Sequence, residues 1–328
     1  MAPRSTAPRP TAPRPTAPRV LITGPSGFIG SHVVAAAARS SAHARSRLMS
    51  RRTAPVESGS PDVETVFGDL AVPDSLRGIC DGVDVVIHCA SHIGGDEQTS
   101  TAVNDHGTRA LVEEAVRAGV RRVVYVSTAS VYGRGPFREA LPGQPPIAPV
   151  SVTSRTRAAA ERHVLDAGGT VLRPHLVYGT GDRWVVPGLV GLVRRLAAEL
   201  TCTSLHSMID VESLARATLA AALSPKDPAG VHHVNHPTPV SSTELLATVA
   251  DCLDLPPTDA KADVATARAL LAGSPRALHH LDMLALDHWF ADDAFWRDVG
   301  CDPGSGFATE FPRHASWYHQ VADLGLKA

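Results

Sequence analysis

The chain has 328 residues, 44% hydrophobic and 20% charged, with 31 Lys and Arg against 33 Asp and Glu for a formal charge of -2. That is enough apolar material for a large core in one or two domains, and it leaves no basic excess to hold a nucleic-acid backbone. The apolar runs are strand- or helix-length and interrupted, so no membrane span or secretory segment is read and the expected location is the cytoplasm.

Residues 1–18 repeat Thr-Ala-Pro-Arg with proline at every second or third position, a composition that cannot pack, and a disordered basic tail is expected. From Arg19 strands and helices alternate. An apolar strand over 20–23 runs into Gly24, Gly27 and Gly30, with Ser26, Phe28 and Ile29 between them, and a helix is expected over 27–38. A glycine turn between a strand and a helix lays a dinucleotide pyrophosphate on the helix N-terminus. The next strand, 47–50, ends in Ser50-Arg51-Arg52, where an acidic residue would bind the 2′-hydroxyl of NAD. A guanidinium pairs instead with a 2′-phosphate, so NADP(H) is the expected cofactor. Further strands are expected over 63–67, 83–88, 123–127 and 170–177, with a helix over 104–118. Their Val/Ile runs mean burial on both faces and parallel pairing, hence an α/β, doubly wound parallel sheet. After Tyr178 the alternation breaks, a helix over 211–223 intervenes, and the remainder is mostly helical, with Trp289, Phe290, Phe295, Trp296 and Trp317. Five scattered cysteines without a C-x-x-C argue against disulfides and structural zinc, and the 16 histidines show no metal-ligand spacing, so no metal is expected.

Five further segments carry a resemblance: Gly68-Asp69-Leu70, His88-Cys89-Ala90-Ser91, Asn104 with Gly107-Thr108, Val126-Ser127-Thr128-Ala129-Ser130-Val131-Tyr132-Gly133, and Arg173-Pro174-His175-Leu176-Val177-Tyr178-Gly179. With the glycine turn they resemble the extended short-chain dehydrogenases/reductases, which include nucleotide-sugar epimerases, dehydratases and ketoreductases. The resemblance runs from Arg19 to the C-terminus. It implies a Rossmann domain over 19–180, with 209–236 returning to it, and a smaller, mostly helical C-terminal substrate-binding lid from 181–208 and 237–328. It also implies that Asp69, Leu70, Cys89, Ala90, Ser91, Asn104, Ser127, Pro174 and Val177 join the glycine turn in holding the cofactor, and that Thr128 is the catalytic hydroxyl.

The chain departs from that family at its proton donor. The family places a tyrosine and, four residues on, a lysine ahead of a helical glutamate; with Glu161 as that glutamate, Thr153 and Arg157 occupy their positions. Both share a helix face and point at the cofactor ribose and reacting carbon. A threonine hydroxyl is far too weak an acid to replace a tyrosine, and Arg157 keeps positive charge but gives up no proton. The acid is then His175, with His92 or His206 behind it, or a phenol of the substrate itself; otherwise the protein is a catalytically silent NADP-binding sensor. Leu176 stands where nucleotide-sugar enzymes of the family carry an asparagine that holds the substrate diphosphate, which favours an apolar substrate. The resulting expectation is an NADPH-dependent ketoreductase of an aromatic polyketide, similar to the atypical reductases of angucyclinone pathways. The alternative is an NADP-dependent nucleotide-sugar reductase or epimerase. The expected partner is a small molecule, with neither nucleic acid nor membrane; the sequence leaves the oligomeric state open.

Overall fold

The computed structural model describes residues 17–40, 44–51 and 62–323; the repeats over 1–16 and Arg52 lie outside them. Ahead of the first strand the Pro18 carbonyl accepts the Arg45 N–H at 2.9 Å.

The first strand, β1 (Arg19–Thr23), buries Val20, Leu21 and Ile22 completely. It is followed by α1 (Phe28–Arg39), β2 (Arg45–Ser50), β3 (Val63–Phe67) and β4 (Val85–His88). The expected helix over 104–118 starts within a π-helical turn over Thr101–His106, which follows the short α2 (Glu97–Ser100), and continues as α3 (Gly107–Arg117). Then come β5 (Arg122–Val126), β6 (Phe137–Ala140), which leaves the main sheet, α4 (Val152–Asp166) and β7 (Thr170–Arg173). The expected strand over 170–177 is broken at Pro174, which has no N–H for a ladder. Its second half, β8 (Leu176–Tyr178), pairs in a separate two-stranded sheet.

The remaining strands are β9 (Glu199–Thr201), β10 (Leu205–His206), β11 (Met208–Asp210), β12 (Gly230–His233), β13 (Val240–Ser241), β14 (Lys261–Asp263) and β15 (His288–Phe290). The helix α5 (Val185–Leu196) precedes β9, and α6 (Val211–Leu223) follows β11 over the expected bounds. The main sheet is wholly parallel in the order β12-β7-β5-β4-β1-β2-β3. Strand order therefore reverses between β1 and β4, and the crevice at their C-terminal ends is where such sheets bind ligands.

Side chains alternate across this sheet as the strand period of two requires. Val20 and Ile22 pack with α1 and α6 through Val33, Ala36, Leu214 and Ala221, while Leu21 and Val86 pack with α3 and α4 through Leu111, Ala115, Ala160 and Val164. A second core gathers residues beyond the sheet, including Leu189, Leu192, Leu245, Leu281, Phe307 and Phe311. Helices predominate there, beside short strands: β13-β10-β15-β6 form a small mixed sheet and β9 pairs with β14. Among the described residues no helix is long and apolar enough to cross a membrane.

Candidate active site

The glycine turn has the geometry of a phosphate cradle. Gly24 sits at φ +67°, where a Cβ would lie 2.8 Å from the Ala90 nitrogen, and its carbonyl accepts the Gly27 N–H at 3.0 Å. A Cβ on Gly30 would lie 2.0 Å from the Gly24 oxygen, so only glycine lets α1 close on β1. At Gly27 a Cβ would meet that same oxygen at 3.3 Å and nothing else within 4 Å. Gly27 is the N-cap of α1 and makes no side-chain cap, which leaves the first-turn N–H groups available to an anion. Ser26 is exposed and Phe28 and Ile29 are half-buried along the rim. At the adenine end Leu70 is buried, and the Asp69 Oδ1 accepts the Ala71 N–H at 2.9 Å, which fixes that carboxylate. Ser50 is half-buried at the end of β2 and Arg51 is exposed beside it.

The rim at the end of β4 is built on a neutral histidine. Thr23 Oγ1 accepts the Ala90 N–H at 3.2 Å and lies 2.6 Å from His88 Nδ1, while His88 Nε2 lies 2.9 Å from Thr108 Oγ1, so both ring nitrogens are hydrogen-bonded to threonine hydroxyls. Burial, with the Arg157 cation adding to it, pushes the His88 pKa down to about 3, so the ring is uncharged. Burial likewise raises the Cys89 thiol to about 12, which leaves it inert as a nucleophile. The buried Asn104 accepts from Ser91 Oγ and from the His92 N–H, and donates to the His92 carbonyl and to Thr156 Oγ1. Its amide is thus consumed in shaping the loop, each of its two atoms making two contacts to protein groups. Ser127 gives its hydroxyl to Glu161, away from the strand end.

The helix α4 carries both Thr153 and Arg157. Ser151 and Ser154 close a capping box, so the helix starts just ahead of Thr153. Thr153 Oγ1 lies 3.4 Å from the Gly94 N–H. One turn on, Arg157 reaches under the sheet and donates to the Val126 carbonyl at 2.7 Å, while its Nε is buried without a partner. Among the described residues no carboxylate pairs with it, so a cation is held at the sheet's end with donors to spare. A further turn on, Glu161 accepts both arms of the buried Arg173, and Arg173 donates to the Tyr132 hydroxyl at 2.6 Å. That hydroxyl also meets His233 Nε2 at 2.7 Å. Spacing alone did not reveal this network, although Glu161 and Arg173 both fall within the segments singled out above. Thr128 caps the short 3-10 turn Ala129–Tyr132, accepting the Ser130 N–H at 3.2 Å.

None of the four tyrosines is more than 2% exposed. Tyr125 is stacked on His88, Tyr132 is held as above, Tyr178 packs on Phe307, and Tyr318 bonds Gly179 and Asp182. Burial raises the pKa of every one. His175 follows Pro174, whose carbonyl accepts the Ala129 N–H at 2.8 Å, and burial holds its pKa well below the usual 6.5. Val177 and Pro174 are buried on the same stretch. Leu176 and Met208 are packed into the second core, whereas Leu205 is half-buried and Trp184 is 62% exposed.

The chain belongs to the NAD dependent epimerase/dehydratase family, which it matches over residues 20–235. A 2-alkyl-3-oxoalkanoate reductase of Shewanella oneidensis is 27% identical over 72% of this chain and 66% of that protein. A 3 beta-hydroxysteroid dehydrogenase/Delta 5-->4-isomerase of Mycobacterium tuberculosis is 28% identical over 87% of this chain and 86% of that one. In fold, the Bordetella bronchiseptica enzyme WbmH, solved in complex with NAD+, superposes with a TM-score of 0.73 over 92% of this chain and 99% of its own at 20% identity.

Proposed function

We propose that this family member is an NADPH-dependent ketoreductase acting on a carbonyl of an apolar aromatic polyketide, angucyclinone-like, whose own phenol supplies the proton. The observation that carries the reading is α4: it presents Thr153 and Arg157 in the donor positions while every tyrosine is buried and engaged elsewhere. On this reading its reaction is of the kind carried out by the angucyclinone ketoreductase of simocyclinone biosynthesis. Two of the relatives are named for an alkyl-oxoalkanoate and a hydroxysteroid, both largely hydrocarbon compounds, which agrees with an apolar substrate.

The residues fit a bound dinucleotide. Gly24, Gly27, Gly30 and the uncapped start of α1 would hold its pyrophosphate, Arg51 its 2′-phosphate, and the spare donors of Arg157 its ribose. When bound, the reduced cofactor supplies the hydride. Thr128 offers a hydroxyl to the oxygen that becomes negative, and Arg157 stabilises that charge without donating a proton. His175 is neutral at pH 7, so it is a poor acid. As the carbonyl carbon accepts the hydride, the carbonyl oxygen takes the proton of the adjacent phenol, and the phenolate left behind regains a proton from water. The segments 181–208 and 237–328 would close over this substrate as the lid.

The nucleotide-sugar alternative needs arginines converging on a diphosphate. Arg183 precedes α5 and Arg194 and Arg195 lie in its last turn, all exposed. At about 1.5 Å per residue the two groups stand roughly 17 Å apart. The test compares a phenolic ketone with its methyl ether at saturating NADPH. Turnover of the phenol and none of the ether is expected; equal turnover would assign the proton to a protein group or water. NADPH binding with no turnover of any ketone would favour the silent sensor.

A further inference from the structure

Three histidines distant in the chain meet beside the turn that carries Thr128. His206 on β10 and His288 on β15 are paired in register, and His175 follows the Pro174 carbonyl that holds Ala129. One ring nitrogen from each lies within 4.8 Å of the other two. The rings are within 20° of parallel, with centroids 5.2 Å apart for His175 and His288, 6.2 Å for His206 and His288, and 6.4 Å for His175 and His206.

Two of the rings have polar partners on their outer side. His206 Nε2 lies 2.9 Å from Ser242 Oγ, beside the Leu284 carbonyl to which the Ser204 hydroxyl donates. With the ring proton on Nε2, His206 Nδ1 is left bare, and it is buried without a partner. His288 Nδ1 donates to the Leu286 carbonyl at 3.0 Å, leaving Nε2 with only a long contact of 3.3 Å from the Gly135 N–H. His175 Nε2 is also buried and without a partner. Orphaned bases of this kind cost about 1–3 kcal/mol each unless something fills the space between them. The nearest carboxylate, Asp287, is occupied by Arg138 and the Leu205 N–H.

We propose that His175, His206 and His288 form a binding site for one divalent cation of the zinc class, with a fourth position open to water or a substrate oxygen. Neutral imidazoles are the ligands such cations prefer. The protons on His206 Nε2 and His288 Nδ1 make the outer hydrogen bonds that orient ligating histidines. Nitrogens about 2.0–2.1 Å from a tetrahedral zinc lie about 3.3–3.4 Å apart, so on binding the rings draw in by up to roughly 1.5 Å and also turn out of their near-parallel arrangement, because the ion lies in the plane of each ligating ring. A cation there would be placed to polarise a carbonyl near Thr128.

The test uses the untagged full chain, stripped with chelator, with neither cofactor nor substrate, so its outcome is independent of the ketoreductase reading. Cobalt(II) titration should give the visible bands of a four-coordinate ion at one per chain, displaced by zinc. His206→Gln and His288→Gln should each weaken binding about a hundredfold, whereas His279→Gln, on the exposed face of another helix, should not. Circular dichroism checks that the variants fold, and histidine-ring NMR of the unmodified protein gives a second readout, with zinc shifting three rings. No bands in the unmodified protein, or unchanged binding in both cluster variants, would overturn the site and leave ordered water as what the rings hold.

Discussion

At the scale of single residues, two threonines that look alike have different expected roles. On the proposed reading Thr153 takes the tyrosine position, and its hydroxyl lies 3.4 Å from the Gly94 nitrogen, whereas Thr128 follows β5 and precedes Ala129, whose N–H binds the Pro174 carbonyl. If the substrate brings its own acid, Thr153→Ala removes no proton donor and should keep most activity. Thr128→Ala removes a donor to the developing oxyanion and should lower kcat by about tenfold to a thousandfold. Steady-state kinetics on the same ketone measures both, and a collapse in Thr153→Ala would make that hydroxyl part of the chemistry. Cofactor choice is also a residue-scale matter. Replacing Arg51 and Arg52 together by Ala should bring the NADPH affinity toward that for NADH, each charge-assisted phosphate contact being worth about 1.5–3 kcal/mol. Equal affinities for the two cofactors in the unmodified protein, measured by fluorescence titration, would remove the 2′-phosphate assignment.

At the scale of elements, α4 is the part on which the site depends. Its face toward the sheet carries Arg157, Ala160, Glu161 and Val164, and the Glu161–Arg173 pair, with both side chains no more than 5% exposed, sets its register against β5 and β7. Breaking such a pair from one side leaves an uncompensated buried cation. Glu161→Gln should therefore lose about 3–5 kcal/mol of stability in denaturant unfolding, and Glu161→Gln with Arg173→Met should recover much of it. An effect below about 1 kcal/mol for the single variant would mean that the helix is held by apolar packing alone. The split at Pro174 is an element-scale decision as well: it sends Leu176–Tyr178 out of the main sheet and frees His175 to meet strands from far along the chain.

At the scale of the whole molecule, folding buries histidines in the neutral form, and this ties stability to pH. His88 is held at about 3 and His233 at about 4, in each case chiefly by burial, against 6.5 in the unfolded chain. Below pH 6.5 the unfolded chain binds protons that the native state refuses. Their contribution is therefore complete above that pH and is lost as pH falls toward 4, at about 1.4 kcal/mol per pH unit for each histidine. Thermal unfolding with chelator present should show the midpoint dropping between pH 6.5 and 4.5; a flat profile would mean that these rings are protonated in the fold. Much of the architecture was legible in the sequence, because it rests on local rules. Parallel strands buried on both faces read as Val/Ile runs, and a turn as tight as Gly24 to Gly30 admits only glycine, so the doubly wound sheet and its cradle were visible from spacing. That Thr153, Arg157 and Glu161 share one helix was legible for the same reason, since a helix carries its register along the chain. What the tertiary structure alone decided are the contacts between residues remote in sequence. These are the consumption of Asn104 and Ser127 by neighbouring protein groups, the burial of all four tyrosines, and the meeting of His175, His206 and His288. No periodicity records such encounters, because they follow from how separate elements pack and from which buried polar groups then have to satisfy one another.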